Sequence, residues 1–332
     1  MSLDAFTVVR QAQRNGGTDV LELNIEEYHN EVLAVLERQS VFKPVVPFTP
    51  LKGTSILRIE GVGSSTLQKI TPGETPDGTS VEWGKTNLVV DTPLLARTAL
   101  PMLDAFQMSR DKRVEIGQAH GETIAKFVDK AIAIAAIKAG LSTVSAFYNN
   151  SNELDGHSGA TQFTLENSAD VNDPAKMDYA INQFLSQLEE NRDVDSTMDG
   201  GRIYVRPALF YRLLTAERLI STEYLGSQGN SVHGHVLKSH GIPIVKTRNL
   251  PAGETISGHL LSNSGNSNFF DGDFSKLVAL YLSPGAVVAG EAIAFTPRVF
   301  WDEMSKSWYV DNHGAFSLAK KRVEKAGVIL IP

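Results

Sequence analysis

The chain has 332 residues, enough for about two domains of the usual ~150 residues and for a sizeable buried core. Hydrophobic residues make up 42% and charged residues 21%, which excludes a mainly disordered chain. The formal charge of −7 argues against a tight, sequence-independent grip on a phosphate backbone, and the lack of cysteine excludes a disulfide scaffold, a thiolate zinc site and a thiol nucleophile.

Residues 1–20 are polar and irregular, broken at Gly16-Gly17, with no apolar core of signal-peptide length. A helix is predicted over residues 25–38, capped by Asn24 with Glu27, and carrying an apolar stripe of Ile25, Tyr28, Val32, Val35 and Leu36. Pro44, Pro47 and Pro50 then force an extended run. This head segment is too small to form a core and reads as an arm packed on something larger.

Residues 54–60 and 86–91 are strand-like, rich in Thr, Ile, Leu and Val. The stretch between them is crowded with glycine, proline and charges of both signs. It reads as a long hairpin, with a second, ragged strand pair (67–71 with 79–83) towards its tip. Such an insertion is unstable alone in water and needs a partner surface.

The strongest element is a helix over 109–139, capped by Ser109 and stopped by Gly140. Val114, Gly117, Gly121, Ile124, Val128, Ala131 and Ala135 form a narrow seam at alternating steps of three and four. At 1.5 Å per residue it would be roughly 45 Å long, a structural beam. Its apolar stretch at 131–139 is broken by Lys138 and flanked by Lys130, and a spanning helix needs about 20 apolar residues, so no membrane segment is expected.

After a polar loop (149–172), a second compact region runs to about residue 290. It starts with a helix over 174–190, opened by Pro174 and buried along Met177, Ile181, Phe184 and Leu188. A strand at 202–205, a helix at 207–214, and strands at 242–246 and 276–282 follow, the last after a Gly/Asn/Ser-rich loop. The tail offers strand-like runs at 292–301, 308–310, 314–320 and 328–331.

Catalytic motifs fail on spacing. Gly84-Lys85-Thr86 imitates the end of a phosphate loop, but five residues separate Gly78 from Gly84 and a strand follows instead of a helix. Gly61-Val62-Gly63 begins like a dinucleotide fingerprint, but Thr66 occupies the third glycine position; a bulge or bend is expected there. His233, His235 and His240 lack a carboxylate to complete a zinc set. Asp193, Asp195 and Asp199 lack the spacing and closing Glu of a calcium loop. No nucleophile elbow or HExxH helix is present. No catalytic residue, metal, nucleotide site or cofactor is expected.

Four stretches carry a resemblance through their shared order: ITPGETPDGTSVEWGKTNLVVD (70–91), DKRVEIGQAHGETIAKFVDKAI (111–132), RIYVRPALFYRLL (202–214) and GIPIVKTRNLP (241–251). With the terminal KKRVEKAGVILIP they resemble the major capsid proteins of tailed phages with the Hong Kong 97 type fold, closest to those of T7-like podoviruses. The resemblance implies an α+β fold with an amino-terminal arm (1–46) and an extended β-hairpin loop (47–92). It also implies a peripheral domain (93–150, with return strands at 292–332) built on the long spine helix, and an axial domain (151–291). It implies self-assembly through hexamers and pentamers into an icosahedral virion shell around double-stranded DNA, formed in the host cytoplasm with a scaffolding protein and a portal at one vertex. Leu67, Ile70, Pro72 and Trp83 are then expected at a subunit interface, and Gly117 and Gly121 at a close packing contact of the spine. The rival readings are an encapsulin-like shell, a tail or decoration protein, and a soluble enzyme, which would need a pocket of convergent polar groups.

Overall fold

The computed structural model describes residues 40–102, 113–149, 152–192, 194–214 and 238–332, apart from 66, 70, 71, 74–77 and 79. The expected helix at 25–38, Ile70, the Ser109 cap, Asp193, His233 and His235 lie outside the described residues.

Residues 40–46 are clamped onto the rest of the chain. Ser40 Oγ, the Val41 and Phe42 amides and Asn249 Nδ2 all donate to the buried carboxylate of Asp129. Phe42, Val45 and Val46 are buried in the main core, with the Phe42 ring 4.4 Å from that of Tyr204. Strand β1 (Phe48–Pro50) then runs parallel to β14 (Val287–Asp302). Only the end of the proline-rich run is extended: Pro44 sits in a turn, in which the Val45 and Val46 amides donate to the Phe42 carbonyl.

Strands β2 (Ile56–Val62) and β3 (Trp83–Val89) pair antiparallel from Ile56↔Val89 to Val62↔Trp83. The hairpin is real but sits further along than expected on β2. The second strand pair, at 67–71 and 79–83, is not found among the described residues: Trp83 belongs to the main ladder, which continues outward only through the Gly63 amide and the Glu82 carbonyl. Residues 70, 71 and 79 of that expected pair lie outside the described residues.

Helix α1 (Arg113–Gly140) is about 42 Å long at 1.5 Å per residue. It lies against a four-stranded sheet formed by β1 and β14 with β15 (Ser307–Lys320) and β4 (Pro93–Pro101), in the order β1-β14-β15-β4. Over its last turns Ala131–Ile137 are buried all round, as befits a helix enclosed on every side. The helix stops at Gly140 as expected, but without a left-handed backbone there. The requirement for glycine is steric: a Cβ there would lie 2.7 Å from Val328 Cγ1.

The second sheet is built from β7 (Thr161–Thr164), β16 (Ala326–Leu330), β13 (Leu277–Leu282), β8 (Arg202–Val205), β10 (Ile242–Lys246) and β9 (Lys238–Ser239), adjacent in that order. Helices α2 (Pro174–Arg192) and α3 (Pro207–Leu213) cover one face through Met177, Ile181, Phe184, Leu188, Leu209 and Phe210. Tyr204, Leu280, Leu282 and Val328 on the other face join the α1 core. Covered on both sides, β13 is buried at all six positions and reads as a continuous apolar run. Two short antiparallel pairs stand apart from the sheets: β5 (Tyr148–Asn149) with β6 (Asn152–Glu153), and β11 (Thr255–Ile256) with β12 (Gly272–Asp273).

The tail strands at 292–301, 308–310 and 314–320 form one long hairpin. Asp302 organises its turn by accepting from the Met304 and Ser305 amides and Ser305 Oγ. Strand β4, framed by two prolines, has no counterpart among the expected strands, and the loop expected at 149–172 contains β7. No helix among the described residues is long and apolar enough to cross a membrane.

Candidate assembly surfaces

The β2–β3 hairpin has two unlike faces, as strand alternation dictates. Inward, Ile59 and Leu88 pack with Phe147 and Leu154, joined by Leu57, Val288 and Ala319. Gly61 is required by close approach, since a Cβ there would sit 2.7 Å from Phe147 Cγ. It is paired with Gly84 in regular register, so the expected bulge is absent. The hairpin is thus seated on its own subunit over its base, more firmly than its sequence suggests.

Outward, directly opposed apolar pairs mark both ends: Ile56 with Val89, and Val62 with Trp83. Trp83 is 62% exposed and the other three 47% each. Between them Arg58 opposes Asn87, and Glu60 opposes Lys85. Leu67 and Pro72, beyond the ladder, are also exposed. Of the residues expected at an interface, Leu67, Pro72 and Trp83 therefore present free surface on the isolated subunit.

The outer end of the ladder is held by the turn at 154–157. The Ser64 amide donates to the Asp155 carbonyl (3.0 Å), and Ser64 Oγ to the Asp155 carboxylate. Buried His157 bridges the Val62 carbonyl (Nε2, 3.1 Å) and Glu324 Oε1 (Nδ1, 3.3 Å).

Gly117 and Gly121 are both buried on α1, where the helix runs beside β4 and β15. Nearby, Ile116 packs with Val299, Val310, Leu100 and Trp308, and His120 Nε2 lies 2.8 Å from Thr98 Oγ1. Burial pushes the His120 imidazole below its ordinary value, against the pull of Asp311. On the sheet's far side Arg97 grips Asp311 through two bonds of 2.7 and 2.6 Å and lies over the Phe300 and Tyr309 rings. This brace was not legible in sequence, because Arg97 and Asp311 are 214 residues apart.

The motifs set aside on spacing have structural roles. Gly84-Lys85-Thr86 lies within β3, with Lys85 on the exposed face. Asp195 accepts from the Thr197 and Met198 amides in a surface turn, and His240 bonds Asn182. No group of three His, Asp or Glu among the described residues could hold a metal ion. An open cleft of about 600 Å³ lies between β3, the end of β15 and the 265–270 loop. Its lining includes Lys320, whose ammonium is lowered by burial and by Lys138.

No protein-family model matches the chain, and no curated protein matches it. Solved structures do. The capsid of the cyanophage P-SCSP1u superposes with a TM-score of 0.73 at 16% identity, covering 88% of each chain. The mature capsid of bacteriophage PhiM1 gives 0.70 at 22% identity, over 88% of this chain and 87% of that one. A virus-like particle from Pyrococcus furiosus gives 0.53 at 12% identity, over 93% and 99%. The chain therefore has the α+β fold of phage capsid proteins, the Hong Kong 97 type.

Proposed function

We propose that this chain is the major capsid protein of a phage, a subunit that assembles with copies of itself into a closed icosahedral shell. The single observation that carries this is the end-to-end likeness of the fold to two phage capsid subunits, spanning 88% of the chain in each case. The outward strip of Ile56, Val62, Trp83 and Val89 supports it. In a lattice of hexamers and pentamers, that strip and Leu67 lie across an adjacent subunit.

The finer parts of the reading follow the same proposal. The hairpin serves as the extended loop, α1 with the β4–β14–β15 sheet as the peripheral domain, and the six-stranded sheet with α2 and α3 as the axial domain. Net negative charge suits a container that encloses double-stranded DNA without gripping it. A scaffolding protein and a portal are the expected assembly partners, and the virion is the expected location. Kinship with T7-like podoviruses is supported by the sequence stretches at 70–91 and 111–132. A shell for another cargo is the second reading, favoured by the likeness to the virus-like particle but with a lower TM-score, 0.53 against 0.73.

Size-exclusion chromatography with negative-stain microscopy of the expressed protein tests the reading. Closed shells or ring-shaped capsomers are the expected result; a compact monomer at all concentrations, with or without a scaffold, overturns it.

A further inference from the structure

The open cleft of about 600 Å³ beside β3 gathers positive charge that the described residues leave unbalanced. Lys320, at the end of β15, lines it and donates to Ser142 Oγ at 3.4 Å. Lys138, in the last turn of α1, reaches the foot of the 265–271 loop: a Cβ on Gly272 would come within 3.2 Å of its Cε and Nζ. Gly265, Asn266, Phe269 and Phe270 of that loop line the same cleft. Lys320 is half-buried and feels Lys138 as a like charge, so burial and repulsion both lower its ammonium. Neither lysine is in an ion pair among the described residues.

The counter-charges at hand fall short. Asp91, in the lining, has its carboxylate engaged by Asn263 Nδ2 and Thr92 Oγ1, each at 2.9 Å. Lys85 adds a third cation to the lining from the exposed face of β3. The carboxyl end of α1 presents about half a negative charge. Its Ile137 and Ala139 carbonyls already accept from the Leu141 and Ser142 amides. Like charges held together in a partly dry site cost free energy, which a bound counter-ion recovers. A singly charged ion leaves one ammonium unbalanced, whereas a doubly charged one balances both. The cleft also has the volume of a small-molecule site, with room for a group that carries the ion.

We propose that this cleft is a binding site for a phosphate dianion, held between the Lys138 and Lys320 ammoniums. Each ammonium donates to a phosphate oxygen, and Lys85 adds longer-range attraction. The phosphate is either free in solution or part of a nucleic acid backbone, and the chemistry at the two lysines is the same. The site belongs to the single subunit, so its failure leaves the shell reading standing.

Isothermal titration of the unassembled full-length protein with inorganic phosphate tests this, at about pH 8 where the ion is mostly a dianion. One site per subunit is expected, with a Kd on the order of 1 mM from two charge-assisted bonds. Lys320→Gln and Lys138→Gln should each weaken binding about tenfold, the scale of one such bond. Lys126→Gln, on the exposed side of α1, should leave it unchanged. In the wild-type protein, phosphate should also slow acetylation of Lys138 and Lys320 several-fold, read by peptide mass spectrometry, because a bound dianion holds both amines protonated. That readout needs no variant to fold. A duplex oligonucleotide that competes with phosphate identifies the backbone as the carrier; one that does not compete assigns the site to free phosphate. Absence of saturable binding overturns the proposal, as does acetate binding as tightly as phosphate, or phosphate binding that leaves the acetylation of both lysines unchanged.

Discussion

Asp129 shows how much one side chain decides. Its carboxylate is fully buried in α1 and takes four donors, three of them from residues 40–42. A carboxylate that accepts backbone amides here anchors residues 40–42, which are not themselves helical. Asp129→Ala leaves those donors without a partner in a dry site, at a cost of about 3 kcal/mol given the penalty for orphaned buried groups. A lowered denaturation midpoint, with faster exchange at Val41 and Phe42, is the expected outcome. An unchanged midpoint would mean the segment is held by Phe42, Val45 and Val46 packing alone. Nothing in the sequence marks Asp129, which stands between Val128 and Lys130 like any helix-surface acid. Only the fold brings Asn249 and Ser40 to it.

At the scale of elements, the hairpin separates folding from assembly. Ile59, Gly61 and Leu88 hold it to the subunit, while Trp83 and Val62 face away. Trp83→Ser should therefore leave the melting temperature of the unassembled subunit unchanged to within about 0.5 kcal/mol of stability, as an exposed substitution does. The same change should sharply reduce the yield of closed particles in microscopy, because every subunit loses the contact. Normal particle yield would put the strip outside the interface. The spine makes the opposite prediction. Gly117 and Gly121 are buried, so Gly121→Leu forces a large side chain into a packed seam, at a cost of about 1 to 3 kcal/mol or more. Loss of soluble subunit is expected, and a variant with unchanged melting temperature and assembly would place the seam in solvent.

These elements also show what could be read from sequence. Strands 202–205 and 242–246 coincide with the expected runs because β-branched and aromatic residues are concentrated there between clear breaks. The amphipathic stripe of α2 and the length of α1 were legible for the same local reason. Strand β4 was not, since its pairing partner β15 lies about two hundred residues away and its own alternation is framed by prolines. The seating of the hairpin on Phe147 was equally hidden, because Gly61 signals a close approach without saying to what.

On the scale of the whole molecule, both main sheets depend on distant pairings. Phe48 lies beside Ala289, Arg97 beside Asp311, and Thr161 beside Gly327. Neither sheet can be completed until segments well over a hundred residues apart have met, and each such meeting must first overcome loop-closure entropy. A chain wired this way folds slowly, on the order of milliseconds to seconds or longer, and passes through species with bare strand edges. The platform under the hairpin is assembled from the same far-flung pieces: Phe147 and Leu154 from the middle of the chain, Val288 and Ala319 from near its end. A subunit that has not finished folding thus has no seated hairpin to offer its neighbours. On the proposed shell reading, geometry alone makes completion of the fold a checkpoint for joining a lattice.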